Sequence, residues 1–594
     1  MTAKPVVFWF TASAEGTARR IAQAIGGEAT GPDGAPVTET LRSFFAARRP
    51  LVGVCAAGVL IRALAPMLGD KWSEPPVVAV SEDGTAIVPL LGGHHGANDL
   101  ARTIGEALSA TPAITTAGDV AYGVALDSPP VGWVLENPAD AKQAMSALLA
   151  GAPATISGEA PWLAPLGAAK MSAKAGETAI TLTVEGTAPL TYWRQTLSLG
   201  LGCARGCPTD EMEALVKDAL GTRSPLEVAA VSSIDLKADE AAIHAFAAKL
   251  GLRPQFYSAV TLEAQRNRLA NPSDVVFAEV GCHGVSEGAA LTAAGETATL
   301  LVEKRKSANA TCAVAEIAGP AIPGARRGRL SVVGIGPGWS EWRSPEASRL
   351  VAEAEELVGY GLYIDLLGPL ANGKPRTDFP LGGEEARCRY ALEEAGKGRD
   401  VALICSGDAG IYAMGALVME LMDRDEANGG VTDPAKRVEI VNAPGISALQ
   451  AASARAGALL GHDFCTISLS DLLTPREAII KRLHAAAEGD FVIAFYNPVS
   501  KRRRTLLAEA RDILLAHRPA DTPVLLASNL GRPTETLTKR TLATLEVDEV
   551  DMLTVVLVGA SQSKAFETGD RAAGADGWRM YTPRGYAKKM VGAA

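Results

Sequence analysis

The chain has 594 residues, of which 47% are hydrophobic, 21% charged and 5% aromatic, with 60 glycines and 35 prolines scattered between periodic segments. That length exceeds what one core organises and predicts three to five compact units of roughly 100–200 residues, while the composition is that of ordinary globular proteins and excludes wholesale disorder. A formal net charge of −10 excludes a general nucleic-acid binder, because neutralising phosphates needs a basic domain rather than short basic islands.

The opening MTAKPVVFWFTASAEGTARRIAQAI holds a short apolar run and then a helix pattern. The run is too short for a signal peptide or membrane span, so a cytoplasmic protein is expected. Cys55, Cys203, Cys207, Cys282, Cys312, Cys388, Cys405 and Cys465 lack a compact disulfide spacing and are expected as reduced thiols. Up to about residue 115, apolar runs (VVFWF, LVGVCAAG, VVAV, AIVPL) alternate with helix-like stretches (GTARRIAQAIG, GANDLARTIGEALSA), which predicts an α/β domain over 1–118. Residues 119–195 are rich in Ala, Gly, Pro and Thr, with alternating pieces such as ETAITLTVEG; a small mixed module or a connector with some strand is expected. A new α/β pattern runs from LSLGLGCARGC through EVAAVSSIDLK and DVVFAEVGCHGVSEGAAL to ATCAVAEIA, giving a unit over 196–318. GPAIPGARRGR has no apolar period and reads as an exposed linker over 319–328. Beyond it, strand SVVGIG, helix SPEASRLVAEAEELVGY, strand VALICSG and helix IYAMGALVMELMD predict a unit over 329–444. Strands TISLS, FVIAFYN, PVLLASN and MLTVVLVG predict the last unit, 445–594. No internal repeat of fixed period is visible.

Four polar turns in the last two units carry the chemistry. SVVGIGPGWS is not a dinucleotide-binding turn: Gly334 and Gly336 fit the first two glycine positions, but the third falls on Trp339 and Pro337 removes an N–H from the anion cradle. A tight turn without a ligand is the alternative there. In VALICSGDAGIYAMG, Ser406, Gly407 and Asp408 stand at the C-terminal end of a buried strand, where α/β sheets open ligand crevices. Capping of the next helix is the alternative role for Asp408. VNAPGISALQ and FYNPVSKRRR repeat the same strand, turn, helix plan. Four such loops in one region point to a ligand site more strongly than any single loop.

The motifs GIGPG, SGDAGIYAMG, APGISALQAASARAGALLGHDF, SLSDLLTP, FYNP and VDMLTVVLVGASQ, in this order, resemble the tetrapyrrole (corrin/porphyrin) methyltransferase family, and within it the precorrin-3B C-17 methyltransferases. The chain departs from the family pattern at Ala409, usually Pro, and at Arg476, often aromatic. The resemblance implies two α/β domains with S-adenosylmethionine folded into the cleft between them, and a homodimer. It implies cofactor contacts from Pro337, Gly407, Asp408, Ile411, Tyr412, Ser447, Ala448, Tyr496 and Asn497, with Ala527, Asn529 and Thr554 beside them. The implied reaction is methylation of precorrin-3B at C-17 with ring contraction, in vitamin B12 synthesis; the motif set leans to the metal-free route. Methyl transfer from an activated sulfonium is an in-line displacement, so the protein has mainly to align donor and ring carbon, without a nucleophilic triad. His462, beside Asp463 in the GHDF turn, is a candidate for proton movement or a structural turn. Lys501, Arg502, Arg503 and Arg504 are candidates for holding the carboxylates of the macrocycle, with a solvated helix face as the alternative.

Residues 51–119, through CAAGVLIRALAP and LLGGHHGANDLA, resemble the N-terminal part of cobalt-precorrin-5A hydrolases. Residues 197–318, through LGLGCARGCP, SSIDLKADE and EVGCHGVSEGAAL, resemble their C-terminal domain. That family opens a lactone and releases a two-carbon fragment as acetaldehyde; it commonly reads SGHLGGAN where this chain has GGHHGAN. His94 or His95 is the candidate general base, with capping of the helix at Gly96 as the alternative. Glu287 is a carboxylate candidate, with a helix-entry charge as the alternative. Cys203, Cys207, Cys282 and His283 complete no zinc set, so no metal is expected. The expected fold class is multidomain α/β: hydrolase-like α/β domains followed by the two α/β domains of a class III tetrapyrrole methyltransferase. The expected partners are S-adenosylmethionine and a small-molecule tetrapyrrole, with no nucleic acid and no membrane. An alternative reading makes the N-terminal half a noncatalytic module that binds or passes on the tetrapyrrole.

Overall fold

Runs such as Val6–Trp9, Leu51–Val54 and Val77–Val80 are rich in β-branched residues and almost wholly buried, so they settle as neighbouring parallel strands rather than as amphipathic helices. In the computed structural model, which describes residues 4–34, 36–69, 74–93, 96–171, 179–500, 503–569 and 577–586, they form a sheet ordered Glu28–Thr30, Val6–Trp9, Leu51–Val54, Val77–Val80, Ile87–Leu91. Only the last pair is antiparallel. Ala18 and Ile21 of helix Glu15–Ala24, with Ala101 and Ile104 of helix Ala97–Leu108, bury against it.

The small module has a core of its own. Its mixed sheet runs Trp133–Leu135, Leu190–Arg194, Ala179–Val184, Ala154–Ser157, Ala169–Met171. Tyr192 is fully buried at its centre, and its hydroxyl donates to the Leu126 carbonyl at 2.9 Å. A third sheet follows in the order Gln255–Tyr257, Val228–Ile234, Leu197–Cys203, Ala310–Glu316, Thr299–Lys306. Helix Val285–Ala294 is buried from Ser286 to Ala294. Its small residues let it lie directly on the sheet: a methyl group on Gly200 would stand 1.9 Å from the Ser286 carbonyl oxygen and 2.5 Å from the Ala290 nitrogen.

Residues 319–328 form no helix or strand; 319–323 are exposed, and the segment is tied down further along. Ala325 exchanges backbone hydrogen bonds with Phe256 at 2.8 and 2.7 Å, and Arg326 pairs with Asp400 at 3.0 Å. The chain forms two compact units, one comprising Met1–Leu330, Leu392–Asp400 and Val431–Glu439, the other Ser331–Ala391, Val401–Gly430 and Ile440–Ala594.

Two further sheets position the site. The first runs Arg376–Phe379, Glu356–Tyr360, Asp400–Cys405, Arg329–Gly334, Glu439–Ala443. The helix expected over SPEASRLVAEAEELVGY stops at Glu353, and Glu356–Tyr360 is an inner strand paired in parallel with both neighbours. Apolar residues continue across that boundary and hide it, but a segment buried on both faces beside parallel strands gains more as strand than as helix. The second sheet runs Phe464–Ser468, Val492–Tyr496, Thr554–Val558, Pro523–Ser528, Thr536–Thr541. Thr554–Val558 is antiparallel to both of its neighbours. Its start therefore shares an edge with the ends of Val492–Tyr496 and Pro523–Ser528.

Gly200→Ala is expected to destabilise the first unit by roughly 1–3 kcal/mol, read as a lower denaturant midpoint; an unchanged midpoint would show that the helix can simply lift off the strand.

Candidate active site

Three adjacent strands, Asp400–Cys405, Arg329–Gly334 and Glu439–Ala443, send their following loops to one place, and the loops cross through glycine. Gly336 N–H donates to Gly407 at 3.2 Å and Gly407 N–H to Gly336 at 2.8 Å. A methyl group on Gly445 would stand 2.0 Å from the Gly407 carbonyl oxygen, and one on Gly334 2.7 Å from the same atom. Asp408 locks the crossing, accepting the Gly410 N–H at 2.8 Å and the Gly445 N–H at 3.0 Å. The next helix begins only at Met414, so Asp408 joins loops and caps no helix.

The shared edge of the second sheet supplies the rest. Ser528 pairs with Thr554 and Ala527 with Val555. The Tyr496 hydroxyl lies 2.5 Å from Ser447 Oγ and accepts the Leu449 N–H at 3.1 Å, while its ring stands 5.2 Å from that of Tyr412. Burial pushes the Tyr496 hydroxyl above the usual tyrosine range, against the pull of those hydrogen bonds. Asn497 Nδ2 donates to Ser468 Oγ at 3.1 Å, and Thr554 Oγ1 to Asp551 at 2.6 Å. A second glycine crossing ties the first loop to this edge: a methyl group on Gly338 would stand 2.1 Å from the Gly531 carbonyl oxygen. Arg455 reinforces it, lying 4.5 and 4.1 Å from the Trp339 and Trp342 ring centroids and pairing at 3.0 Å with Glu535, which also accepts the Gly531 N–H at 2.6 Å.

These loops line a cavity of about 330 Å³, within the roughly 300–1,000 Å³ of small-molecule sites. All twelve positions named above as cofactor contacts line it. Tyr412, Asn497 and Asn529, three of those twelve, have left-handed backbone with φ of 51°, 49° and 51°. Among the described residues only three other non-glycine positions do. Such conformations persist where the surroundings over-determine them, and they gather at ligand sites. Cys405 also lines the cavity; burial pushes its thiol up to about 11, so at neutral pH it is no thiolate nucleophile.

The other candidates fall elsewhere. His462 is exposed, accepts the Asp463 N–H at 2.8 Å on Nδ1 and does not line the cavity. Arg503 donates to the Leu469 carbonyl at 2.5 Å and pairs with Asp471 at 3.4 Å. Arg504 pairs with Asp548 at 2.9 Å, and neither arginine lines the cavity. Lys501 and Arg502 lie outside the described residues, as do His94 and His95. The cations that do line it, Arg387 and Arg532, went unnoticed in the sequence. The available signal was an arginine on the apolar stripe of helix Glu384–Gly396, one turn before the buried Ala391.

Glu287 is 1% exposed and fully engaged, accepting from the Ala270, Asn271 and Lys304 backbone N–H groups and from Asn271 Nδ2 at 2.9–3.0 Å. Burial pushes its pKa up, but the hydrogen bonds outweigh burial and hold it below the usual carboxylate range. It is a loop clamp in the first turn of its helix rather than a free base. Nearby, His283 Nδ1 stands 2.9 Å from Glu263 and its ring stacks 4.4 Å from Phe277. Among the described residues no helix is long and apolar enough to cross a membrane, and no group of three or more His, Cys, Asp or Glu is placed to hold a metal.

Residues 329–546 match the model of the tetrapyrrole (corrin/porphyrin) methylases. The precorrin-3B C(17)-methyltransferase of Sinorhizobium sp. is 41% identical over 260 residues, which are 44% of this chain and 98% of that protein. The chain belongs to the tetrapyrrole methylase family. The probable cobalt-factor III C(17)-methyltransferase of Salmonella typhimurium is 42% identical over 257 residues, 43% of this chain and 99% of that one. A crystal structure of the methyltransferase CobJ is 37% identical and covers 43% of this chain and 100% of its own, with a TM-score of 0.38. Upstream of the methylase region, residues 39–119 match the cobalamin synthesis G N-terminal model and residues 197–315 the cobalamin synthesis G C-terminus model. The chain thus joins a cobalamin-synthesis-G-like half to a tetrapyrrole methylase half.

Gly445→Ala is expected to lower the stability of the methylase half by roughly 1–3 kcal/mol, seen as a drop in its denaturant midpoint. Glu287→Gln is expected to cost about 1–3 kcal/mol at pH 7. Because the folded pKa of Glu287 is depressed, its contribution is complete above the unfolded value of about 4.3 and is lost as pH falls through the folded one. The variant should therefore show a shallower acid-side loss of stability, and parallel pH profiles would contradict this.

Proposed function

We propose that residues 329–594 transfer a methyl group from S-adenosylmethionine to C-17 of a precorrin-3B-type macrocycle, with ring contraction. We propose further that residues 1–318 act as a cobalt-precorrin-5A hydrolase, opening the lactone and releasing acetaldehyde from a neighbouring intermediate of cobalamin synthesis. The carrying observation is the convergence of six strand ends on one cavity, at the twelve positions that the family resemblance assigns to the cofactor. Membership of the tetrapyrrole methylase family supports it.

The residues fit such a cofactor. S-adenosylmethionine, when bound, supplies a methyl group already activated on sulfonium. Gly407, with φ of 69°, presents bare backbone to the cavity, and Asp408 fixes the loop that carries it. The paired rings of Tyr412 and Tyr496 give an aromatic wall, and the buried Ala527 and Thr554 form part of the floor. Methyl transfer from the sulfonium demands no protein nucleophile, and the proton it releases can leave to solvent through the open side of the cavity; the chain's work is alignment in a shaped site. Relatives named for precorrin-3B and for cobalt-factor III stand at nearly equal identity, 41% and 42%, so both metal-free and cobalt-bearing macrocycles belong in the assay.

Full-length protein incubated with S-adenosylmethionine and either macrocycle is expected to yield a product heavier by one methyl group, read by mass spectrometry. Gly407→Val, which forces a β-branched residue into left-handed backbone at the cavity, should slow this by roughly 100-fold. Absence of added methyl with both substrates would overturn the assignment. Acetaldehyde release from cobalt-precorrin-5A tests the other half, and its absence would favour the noncatalytic module.

A further inference from the structure

Arg387 is 2% exposed. Its guanidinium donates from Nη2 to the Pro380 carbonyl at 3.1 Å, its Nε has no hydrogen-bond partner, and no carboxylate among the described residues pairs with it. Arg518 shows how this fold treats a buried guanidinium with a structural role: its Nε also lacks a hydrogen-bond partner, but its Nη1 and Nη2 donate to the carbonyls of Gly559, Ala486 and Phe491 at 2.5–3.2 Å and Asp490 lies at 3.6 Å. Arg387 lacks that set, and it lines the methylase cavity. Arg532 lines the same cavity, its Nε is also without a partner, and its side chain makes no ion pair with any described residue. Tyr363 lies within the field of both: burial pushes its hydroxyl up while the Arg532 and Arg387 charges pull it down. Neither carboxylate in the lining forms an ion pair with the two cations: Asp408 holds two backbone N–H groups and Glu384 accepts the Gly382 N–H at 3.1 Å.

A buried charge without a partner is strongly unfavourable unless something completes it. Neither arginine is among the twelve cofactor positions, whereas Arg503 and Arg504, which the sequence offered for the macrocycle, are already paired outside the cavity. We propose that Arg387 and Arg532 form the carboxylate-binding end of the cavity and take a peripheral carboxylate of the tetrapyrrole in a forked, charge-assisted hydrogen bond. The inference rests on the methyl-transfer reading of this cavity and names the residues that orient its substrate.

The test titrates full-length wild type, Arg387→Met and Arg532→Ala with uroporphyrin III, a porphyrin bearing carboxylates on every ring, by fluorescence quenching. A parallel titration uses S-adenosylhomocysteine and calorimetry. Arg387→Met is expected to weaken uroporphyrin binding by roughly tenfold or more, and Arg532→Ala to weaken it by a smaller factor. S-adenosylhomocysteine affinity and Tm should hold, because no intramolecular ion pair is lost. Unchanged uroporphyrin affinity in both variants would overturn the proposal. So would an equal loss of S-adenosylhomocysteine affinity, which would give the arginines to the cofactor's own carboxylate. A fall in Tm that accounts for the lost affinity would mark Arg387 as structural, and Arg532→Ala, at a half-exposed position, then decides alone. Failure of wild type to bind S-adenosylhomocysteine would sink the methyl-transfer reading itself; wild type that binds it, with variants unaltered toward uroporphyrin, sinks only this inference.

Discussion

The methylase half depends on backbone passing backbone at Gly334, Gly407 and Gly445. Three loops from adjacent strands cross there at distances that leave no room for a methyl group, and the Gly407 carbonyl lies at the centre of the contact. Asp408 converts that closeness into a fixed geometry by holding two of the loops through their N–H groups. Everything that faces the cavity from this sheet inherits its position from that crossing. The Gly338–Gly531 contact, reinforced by Arg455 between the tryptophans and Glu535, does the same for the facing loop. Glycine here serves as the absence of a side chain, which lets rigid strands rather than mobile loops define a binding surface.

The reaction proposed for such a site asks little of side-chain chemistry, and the site offers little. Its thiol stays protonated, the Tyr496 hydroxyl is buried and hydrogen-bonded, and Asp408 is spent on loop geometry. What remains is shape, an aromatic wall and two arginines without an ion-pair partner among the described residues. That balance suits a reaction whose reactivity resides in the donor and whose difficulty is orientation. Glu287, a buried anion with every lone pair answered, stabilises the chain; Arg387, a buried cation whose Nε has no hydrogen-bond partner, is the one proposed to take a ligand.

Much of this was legible in the sequence because the site is built from strand ends. Apolar runs such as VALIC and FVIAFY announce their strands, and the Gly, Asp and Asn that follow mark the ligand edge; the twelve individual positions came from the family resemblance. The inner strand Glu356–Tyr360 was hidden because apolar residues run unbroken from the preceding helix. Arg387 was hidden because a single arginine on a helix reads as surface, and only the packing shows that it faces a cavity. The reverse holds for Arg503 and Arg504: a conspicuous basic run proved to be neutralised by Asp471, Asp548 and local carbonyls. Charge runs advertise themselves along the chain, whereas neutralisation is a property of the fold.

The central claim is that a folded S-adenosyl nucleoside occupies the cavity framed by Gly407, Tyr412, Tyr496 and Asn529. A crystal structure of the full chain grown with S-adenosylhomocysteine tests it most directly. The account predicts electron density for the ligand in that cavity, in contact with the Gly407–Asp408 backbone. Density for the ligand elsewhere, or loops collapsed across the cavity in its presence, would contradict it.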